Sequence, residues 1–309
     1  MAGTLPPALV QVVAARLGDR ARTGEPVARH TSYRIGGPAD LLVLPDTPDE
    51  LALVLGTADA HAVPVTMLGG GSNVLVGDAG IRGVAVKLGR GFAKVEWTDD
   101  ARGGRAHTGS AVQLGQLARA AAAKSLAGLE FAEGIPGTVG GALAMNAGAY
   151  GGNLASVVAS VDGVLPDGTR RTLSAAQLAF GYRRAALPAG FVVTAVDFQL
   201  ARDAADAIAA RMEDVRRRRV AAQPHGLPNG GSVFKNPAND HAGRLIEAAG
   251  LKGARRGGAR ISERHANFIE NEGRARAADV RALIEMAQRV VWELSGVWLE
   301  PELRFLGSW

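Results

Sequence analysis

The chain has no cysteine among its 309 residues. That removes disulfides, thiolate nucleophiles and cysteine-ligated metals from consideration, and fits an intracellular protein. Aromatic residues are scarce, with three Tyr, four Trp and eight Phe, so the stacking platforms of a single-strand nucleic-acid binder are poorly supplied. No apolar run approaches the roughly 20 residues a spanning helix requires. Residues 1–20 lack a charged start, apolar middle and small-residue cleavage site, so neither membrane insertion nor export is expected. The fingerprint G-x-G-x-x-G is missing, and so is G-x-x-x-x-G-K-[ST], which leaves a nicotinamide Rossmann site and a P-loop without support. Six histidines (His30, His61, His107, His225, His241, His265) form no H-E-x-x-H and no other close pair. No metal site is expected from that spacing.

Glycine, by contrast, is abundant. Between Gly134 and Gly152, seven of 19 residues are glycine, and Gly69-Gly70-Gly71-Ser72-Asn73 forms an earlier cluster after the apolar run Val63–Leu68. Glycine permits close backbone approach, and successive N–H groups pointing one way make a concave anion site. Two such turns suit a ligand with a diphosphate and a large planar ring. The net charge of +5 also favours anionic partners. Its densest run is Arg216-Arg217-Arg218-Arg219. Three readings stay open for that run: a solvated helix face, a phosphate contact by one or two members, or nucleic-acid binding.

The length allows two or three domains. Periodicity predicts helices at Pro7–Leu17, Pro48–Ala60, Val112–Lys124 and Ala207–Val220, with Pro136 in the first turn of another. Val280, Leu283, Ile284, Ala287, Val290, Val291 and Leu294 share one face of a further helix that Gly296 ends. Strands are predicted at Leu41–Leu44, Val63–Met67, Val84–Leu88, Phe92–Trp97, Phe191–Leu200 and Val297–Leu306. Pro166-Asp167-Gly168 joins Val157–Leu165 to Thr169–Leu173 as a hairpin. The first two strands with their intervening helix suggest a βαβ unit. A boundary is placed in Ala201–Asp206, ahead of a small α+β domain.

Six segments occur in a telling order. They are Thr31-Ser32-Tyr33-Arg34-Ile35-Gly36-Gly37, Leu68 to Leu75 (LGGGSNVL), Gly134 to Gly141 (GIPGTVGG), Gly181-Tyr182-Arg183, Gly231 to Pro237 (GSVFKNP) and Leu299-Glu300-Pro301-Glu302. Together, over about residues 28–307, they resemble the UDP-N-acetylenolpyruvoylglucosamine reductase family of peptidoglycan precursor synthesis. The resemblance implies an α+β protein: an N-terminal helical extension (1–27), a two-part FAD-binding domain of the vanillyl-alcohol-oxidase type (28–202) and a C-terminal substrate domain (203–309). It implies non-covalent FAD, with NADPH and a UDP-sugar enolpyruvyl ether as co-substrates, in a cytoplasmic protein expected to be a monomer.

By the same resemblance, Tyr33 and Arg34 lie near the cofactor. Gly69, Gly70, Gly71, Ser72 and Asn73, with Gly134, Ile135, Gly137, Thr138, Gly140 and Gly141, hold the diphosphate and flank the flavin. Arg183 matches the family's carboxylate-stabilising arginine, with Arg184 a neighbour easily confused with it. Ser232 matches the proton donor and Glu302 the catalytic glutamate. Glu300 lies two residues from Glu302, on the same face if the segment is a strand, so the motif alone separates them. Arg219, Lys235, Asn236 and, more weakly, Arg304 are candidates for the nucleotide end. Between Arg183 and Phe191 the chain has only Arg-Ala-Ala-Leu-Pro-Ala-Gly, which leaves no room for the tyrosine-bearing loop of one branch of the family. The sequence therefore belongs with the shorter branch. Competing readings are another FAD oxidoreductase of the same fold, such as a sugar-lactone or hydroxy-acid oxidase, and a non-enzymatic nucleic-acid binder.

Overall fold

The computed structural model describes residues 5–100 and 103–309. The architecture is α+β, as expected. Contacts divide the chain into two compact units: 1–23, 41–70 and 83–219 in the first, and 24–40, 71–82 and 220–309 in the second. The units interleave along the sequence, whereas the sequence reading ran its domains consecutively. The Gly69–Asn73 turn is itself divided, with Gly70 ending one segment and Gly71 opening another.

The first unit is built on a six-stranded antiparallel sheet. Its order is Arg170–Ser174, Val158–Val164, Val192–Arg202, Gly103–Gly109 and Val95–Asp100, with Leu126–Ala127 pairing the far end of Val192–Arg202. Strand alternation sends Ala106, Val161, Val196 and Phe198 to one face. There the helices Leu114–Ala122 and Val139–Ala144 cover them with Leu114, Leu117, Val139 and Leu143. The expected hairpin is present, with Val164 opposite Arg170. The helix after the glycine run starts at Val139, with Thr138 extended before it, so Pro136 lies in the loop rather than in the first turn.

A second core packs helix Pro7–Leu17 and helix Pro48–Ala60 through Leu9, Val13, Leu51, Val54 and Leu55 against Leu41, Val43, Val84 and Val86. Pro48 opens its helix and the Thr47 hydroxyl caps the Glu50 N–H at 3.2 Å. The βαβ unit is modified: Ile81–Val86 lies between Pro38–Val43 and Val65–Met67 in the sheet. It pairs in parallel with Val65–Met67, Val84 opposite Val65.

The second unit packs helix Ala277–Ser295 and helix Ala242–Ala248 around Tyr33, Phe234, Leu245, Ile246, Leu283, Ile284 and Val291. Gly296, at φ 67°, ends the long helix as expected. Leu294, placed on its apolar face by periodicity, is instead 68 % exposed in the last turn. At the other end the Asp78 carboxylate accepts from the Ala277 and Ala278 N–H groups, at 2.8 and 3.1 Å, and so satisfies free donors of the first turn. The predicted strand Val297–Leu306 shortens to Arg304–Leu306, which pairs in parallel with Val74–Val76. Pro301 cannot donate to a ladder, and the segment before it makes only isolated contacts such as the Phe234–Pro301 bridge.

Candidate active site

In the first unit, the two glycine-rich segments touch. A Cβ on Gly70 would stand 2.6 Å from the Gly137 Cα, and one on Gly69 would stand 3.3 Å from the Thr138 hydroxyl. Glycine at 70 is therefore required by backbone packing on Gly137, one step before any ligand is considered. Gly137, at φ 105°, holds a conformation that other residues rarely adopt. Thr138 bridges Gln113, and the Gly140 N–H donates to the Ser110 carbonyl at 2.9 Å. A Cβ on Gly140 would meet Ser110 Cβ at 2.8 Å.

This packing leaves donors unspent. Among the described residues, the N–H groups of Gly69, Gly70, Gly137 and Thr138 have no hydrogen-bond acceptor. Buried or half-buried amides are nearly always paired. Four unpaired ones on two touching turns, beside the start of a helix, fit a diphosphate. That is the group by which FAD is held, and the residues present suit it. Gly141 is exposed beside them and Ile135 is half-buried against the large core.

Arg183 occupies a tight turn closed by the Gly181–Arg184 backbone pair, at 2.9 and 3.2 Å. Its φ is 55°, in the left-handed region that a non-glycine residue enters only at a cost. Its guanidinium donates to the Gly148 carbonyl at 2.8 Å and lies 5.4 Å from the Tyr182 ring. Arg184 is exposed, which separates the two arginines. Asn146 explains how the turn is held. Its amide donates to the Gly181 carbonyl at 3.0 Å and its carbonyl accepts from the Ala155 N–H at 3.0 Å. Asn146 is not among the residues singled out by the motifs. The signal available was an asparagine, tolerant of φ 42°, inside the glycine run.

Arg219 is set apart from the other members of its run. Arg216 pairs with Glu213, and Arg217 and Arg218 pair with Asp214, all on the helix surface. Arg219 is half-buried. Its Nε donates to the Glu133 carbonyl at 3.2 Å and its guanidinium lies 5.6 Å from the Tyr150 ring. Burial pulls its pKa down from the usual arginine value, and Tyr150 and Glu133 oppose that pull. Gly134 makes the fit possible, since a Cβ there would stand 2.8 Å from Arg219 Cδ.

In the second unit, Ser232 and Glu302 come together through the backbone. The Glu302 N–H donates to the carbonyl of Val233, the residue after Ser232, at 2.7 Å. The Asn73 side chain donates to the Glu302 carbonyl at 3.0 Å, and the Arg304 N–H donates to the Asn73 carbonyl at 3.1 Å. Ser232 is half-buried, and its hydroxyl has no hydrogen-bond partner among the described residues. Glu300 is separated from Glu302 by what it does, because it forms an ion pair with Lys235. Lys235 thus has an internal partner. The Asn236 side-chain oxygen accepts from the Ala242 N–H at 3.1 Å, and Arg304 is exposed.

Tyr33 is fully buried in the core of this unit, and a Cβ on Gly230 would strike its ring at 2.2 Å. Burial drives its hydroxyl pKa well above the ordinary phenol value, against a smaller opposing effect of the Gly230 N–H. Its carbonyl accepts from the Asn271 amide at 2.9 Å. The ring is part of the core, whereas Arg34, at φ 55°, is exposed. Gly71 is pressed on the His30 carbonyl, where a Cβ would stand 2.1 Å away, and Ser72 follows it half-buried. The catalytic candidates are therefore divided between units, Arg183 in the first and Ser232 and Glu302 in the second.

A mixed α+β chain with an FAD-binding domain, whose paired glycine turns suit a diphosphate, belongs to the FAD-binding oxidoreductases. Residues 39–174 match the family model of an FAD binding domain, and residues 223–306 match that of the UDP-N-acetylenolpyruvoylglucosamine reductase C-terminal domain. The chain is 45% identical over 299 residues to the UDP-N-acetylenolpyruvoylglucosamine reductase of Desulfosudis oleivorans, covering 94% of this chain and 96% of that one. It is 40% identical over 288 residues to that of Clostridioides difficile, covering 93% of each. The crystal structure of the reductase from Thermus caldophilus superposes with a TM-score of 0.78 at 38% identity, covering 91% of this chain and 97% of that one. The chain belongs to the UDP-N-acetylenolpyruvoylglucosamine reductase family. The oxidase reading is not favoured, because the C-terminal match is to the reductase's own domain.

Proposed function

We propose that this chain reduces the enolpyruvyl ether of UDP-N-acetylglucosamine to UDP-N-acetylmuramate at the expense of NADPH, with Arg183, Ser232 and Glu302 as its catalytic residues. Residues 28–202 serve the cofactor and 203–309 the substrate. Bound FAD would supply the hydride chemistry that links NADPH to C3 of the enolpyruvyl group. The protein's part is to hold the reactants and to manage charge and one proton. Amides of the 69–73 and 134–141 segments take the diphosphate of FAD.

Hydride addition at C3 leaves negative charge on C2 and its carboxylate. Arg183, fixed by the Gly148 carbonyl, offers a planar fork suited to that carboxylate. A preorganised cation aimed at developing charge supplies much of the catalytic effect in such sites. The Ser232 hydroxyl gives its proton to C2. Glu302, tied by its backbone N–H to the Val233 carbonyl, polarises the substrate carboxylate and supports the proton path. Arg219, with Lys235, Asn236 and Arg304, meets the UDP diphosphate and nucleoside. The chain works in the cytoplasm as a monomer.

The observation that carries this reading is the backbone bond that brings Glu302 beside Ser232. Its test is an anaerobic assay with NADPH and the enolpyruvyl ether. NADPH consumption that depends on the ether supports the reading. Turnover that needs oxygen and ignores the ether contradicts it.

A further inference from the structure

We propose that His107, Asp162 and Asp197 form a divalent-cation site on the solvent-facing side of the six-stranded sheet. None of the three takes part in the reaction above. The register creates the cluster. His107 and Asp197 are direct partners on Gly103–Gly109 and Val192–Arg202. Ser160 faces Asp197 from the next strand, and Asp162 is two residues further along that strand, on the same face. One imidazole nitrogen and one oxygen of each carboxylate lie within 4.8 Å of one another.

His107 Nδ1 and Asp197 Oδ1 are 2.9 Å apart. That is close to the roughly 3 Å edge between two cis ligands of an octahedral ion about 2.1 Å from each. Outer partners already aim both carboxylates. Ser160 donates to the second Asp197 oxygen at 2.8 Å, and Thr172 donates to Asp162 at 2.5 Å.

Charge points the same way. Two carboxylates converge here, and among the described residues neither has an arginine or lysine partner; the His107 ring is the one basic group bonded to Asp197. A cation would compensate them. An imidazole among the donors sets this group apart from an ordinary acidic cluster. His107 and Asp162 also line a cavity of about 470 Å³, which leaves room for water or an anion to complete the coordination. Lys94 and Arg171 stand in the same wall, so an anionic co-ligand would be tolerated there. One imidazole and two carboxylates suit Mn²⁺ or Zn²⁺ better than Ca²⁺.

The test uses flavin-loaded protein stripped with EDTA and titrated with MnCl₂, free Mn²⁺ being read by electron paramagnetic resonance. The expected result is one ion per chain, with affinity lowered at least ~10-fold in His107→Ala and in Asp162→Asn. Both variants should keep the wild-type flavin spectrum and NADPH oxidation rate, which shows that the fold is intact. If His107→Ala fails to fold, Asp162→Asn alone decides, being nearly isosteric. No uptake at millimolar Mn²⁺ overturns the proposal, and so does uptake of equal affinity in wild type and Asp162→Asn.

Discussion

Gly70 lies so close to Gly137 that a single added methyl would stand 2.6 Å from the Gly137 Cα. The contact brings the two turns together. Gly70→Ala should therefore separate the turns and weaken FAD retention. Overpacking of about 1–3 kcal/mol corresponds to roughly a five- to 150-fold loss of affinity. Flavin absorbance after gel filtration measures it. Gly69→Ala is the control, because its Cβ would meet the Thr138 hydroxyl at 3.3 Å and should cost less. Equal and full retention in both variants would count against the two-turn cradle.

Gly134 leaves space for Arg219, the residue proposed to meet the UDP diphosphate. A side chain at 134 would displace Arg219 Cδ, and at φ 72° it would also be strained. Gly134→Ala should raise KM for the UDP-sugar about tenfold, as expected for roughly 1.4 kcal/mol of lost binding. Flavin content and the rate of flavin reduction by NADPH should change little. Arg219→Lys should behave alike, since an ammonium lacks the planar fork. Steady-state kinetics checks both, and an unchanged KM in Arg219→Lys would remove Arg219 from the nucleotide site.

Acid should weaken the first unit through Glu50. Its carboxylate accepts from both Arg20 nitrogens, at 2.6 and 2.7 Å, and from the Asp46 N–H at 2.8 Å. The Arg20 hydrogen bonds foremost hold its pKa down, at about 2 against an ordinary 4.5. The folded value is the lower one, so the unfolded chain takes up the proton first as pH falls. The stabilisation is fully present above pH 4.5, declines below it and is gone near pH 2, the two pKa values bounding the window. It is on the order of 3 kcal/mol. Urea unfolding of wild type and Glu50→Gln should differ by that amount at neutral pH and converge at the acid end. A constant difference across pH would contradict the assignment.

Much of this was legible in the sequence where local patterns decide. Helices Pro7–Leu17 and Pro48–Ala60 begin and end where proline and apolar spacing place them. The Pro166-Asp167-Gly168 turn closes its hairpin. Ordered motifs brought out the family and the residues proposed for flavin and substrate, because main-chain chemistry of this kind needs glycine at fixed places. What escaped depended on register and long-range contact. The strand Gly103–Gly109 is interrupted by polar residues and was passed over, yet it carries His107. Tyr33 reads as a cofactor neighbour, but its ring fills a core completed by Gly230, nearly 200 positions away. Asn146 acts through two hydrogen bonds to the backbone of Gly181 and Ala155, which no local pattern shows.

The proton-donor role of Ser232 is the claim on which the chemistry rests, and a single-turnover experiment tests it directly. Wild type and Ser232→Ala are each reduced with NADPH under nitrogen and mixed with the enolpyruvyl ether, and flavin absorbance is followed. Both should bleach at similar rates with NADPH. Wild type should then regain its absorbance on mixing, while Ser232→Ala should stay bleached or recover at least ~100-fold more slowly. Recovery of Ser232→Ala at the wild-type rate would contradict the assignment.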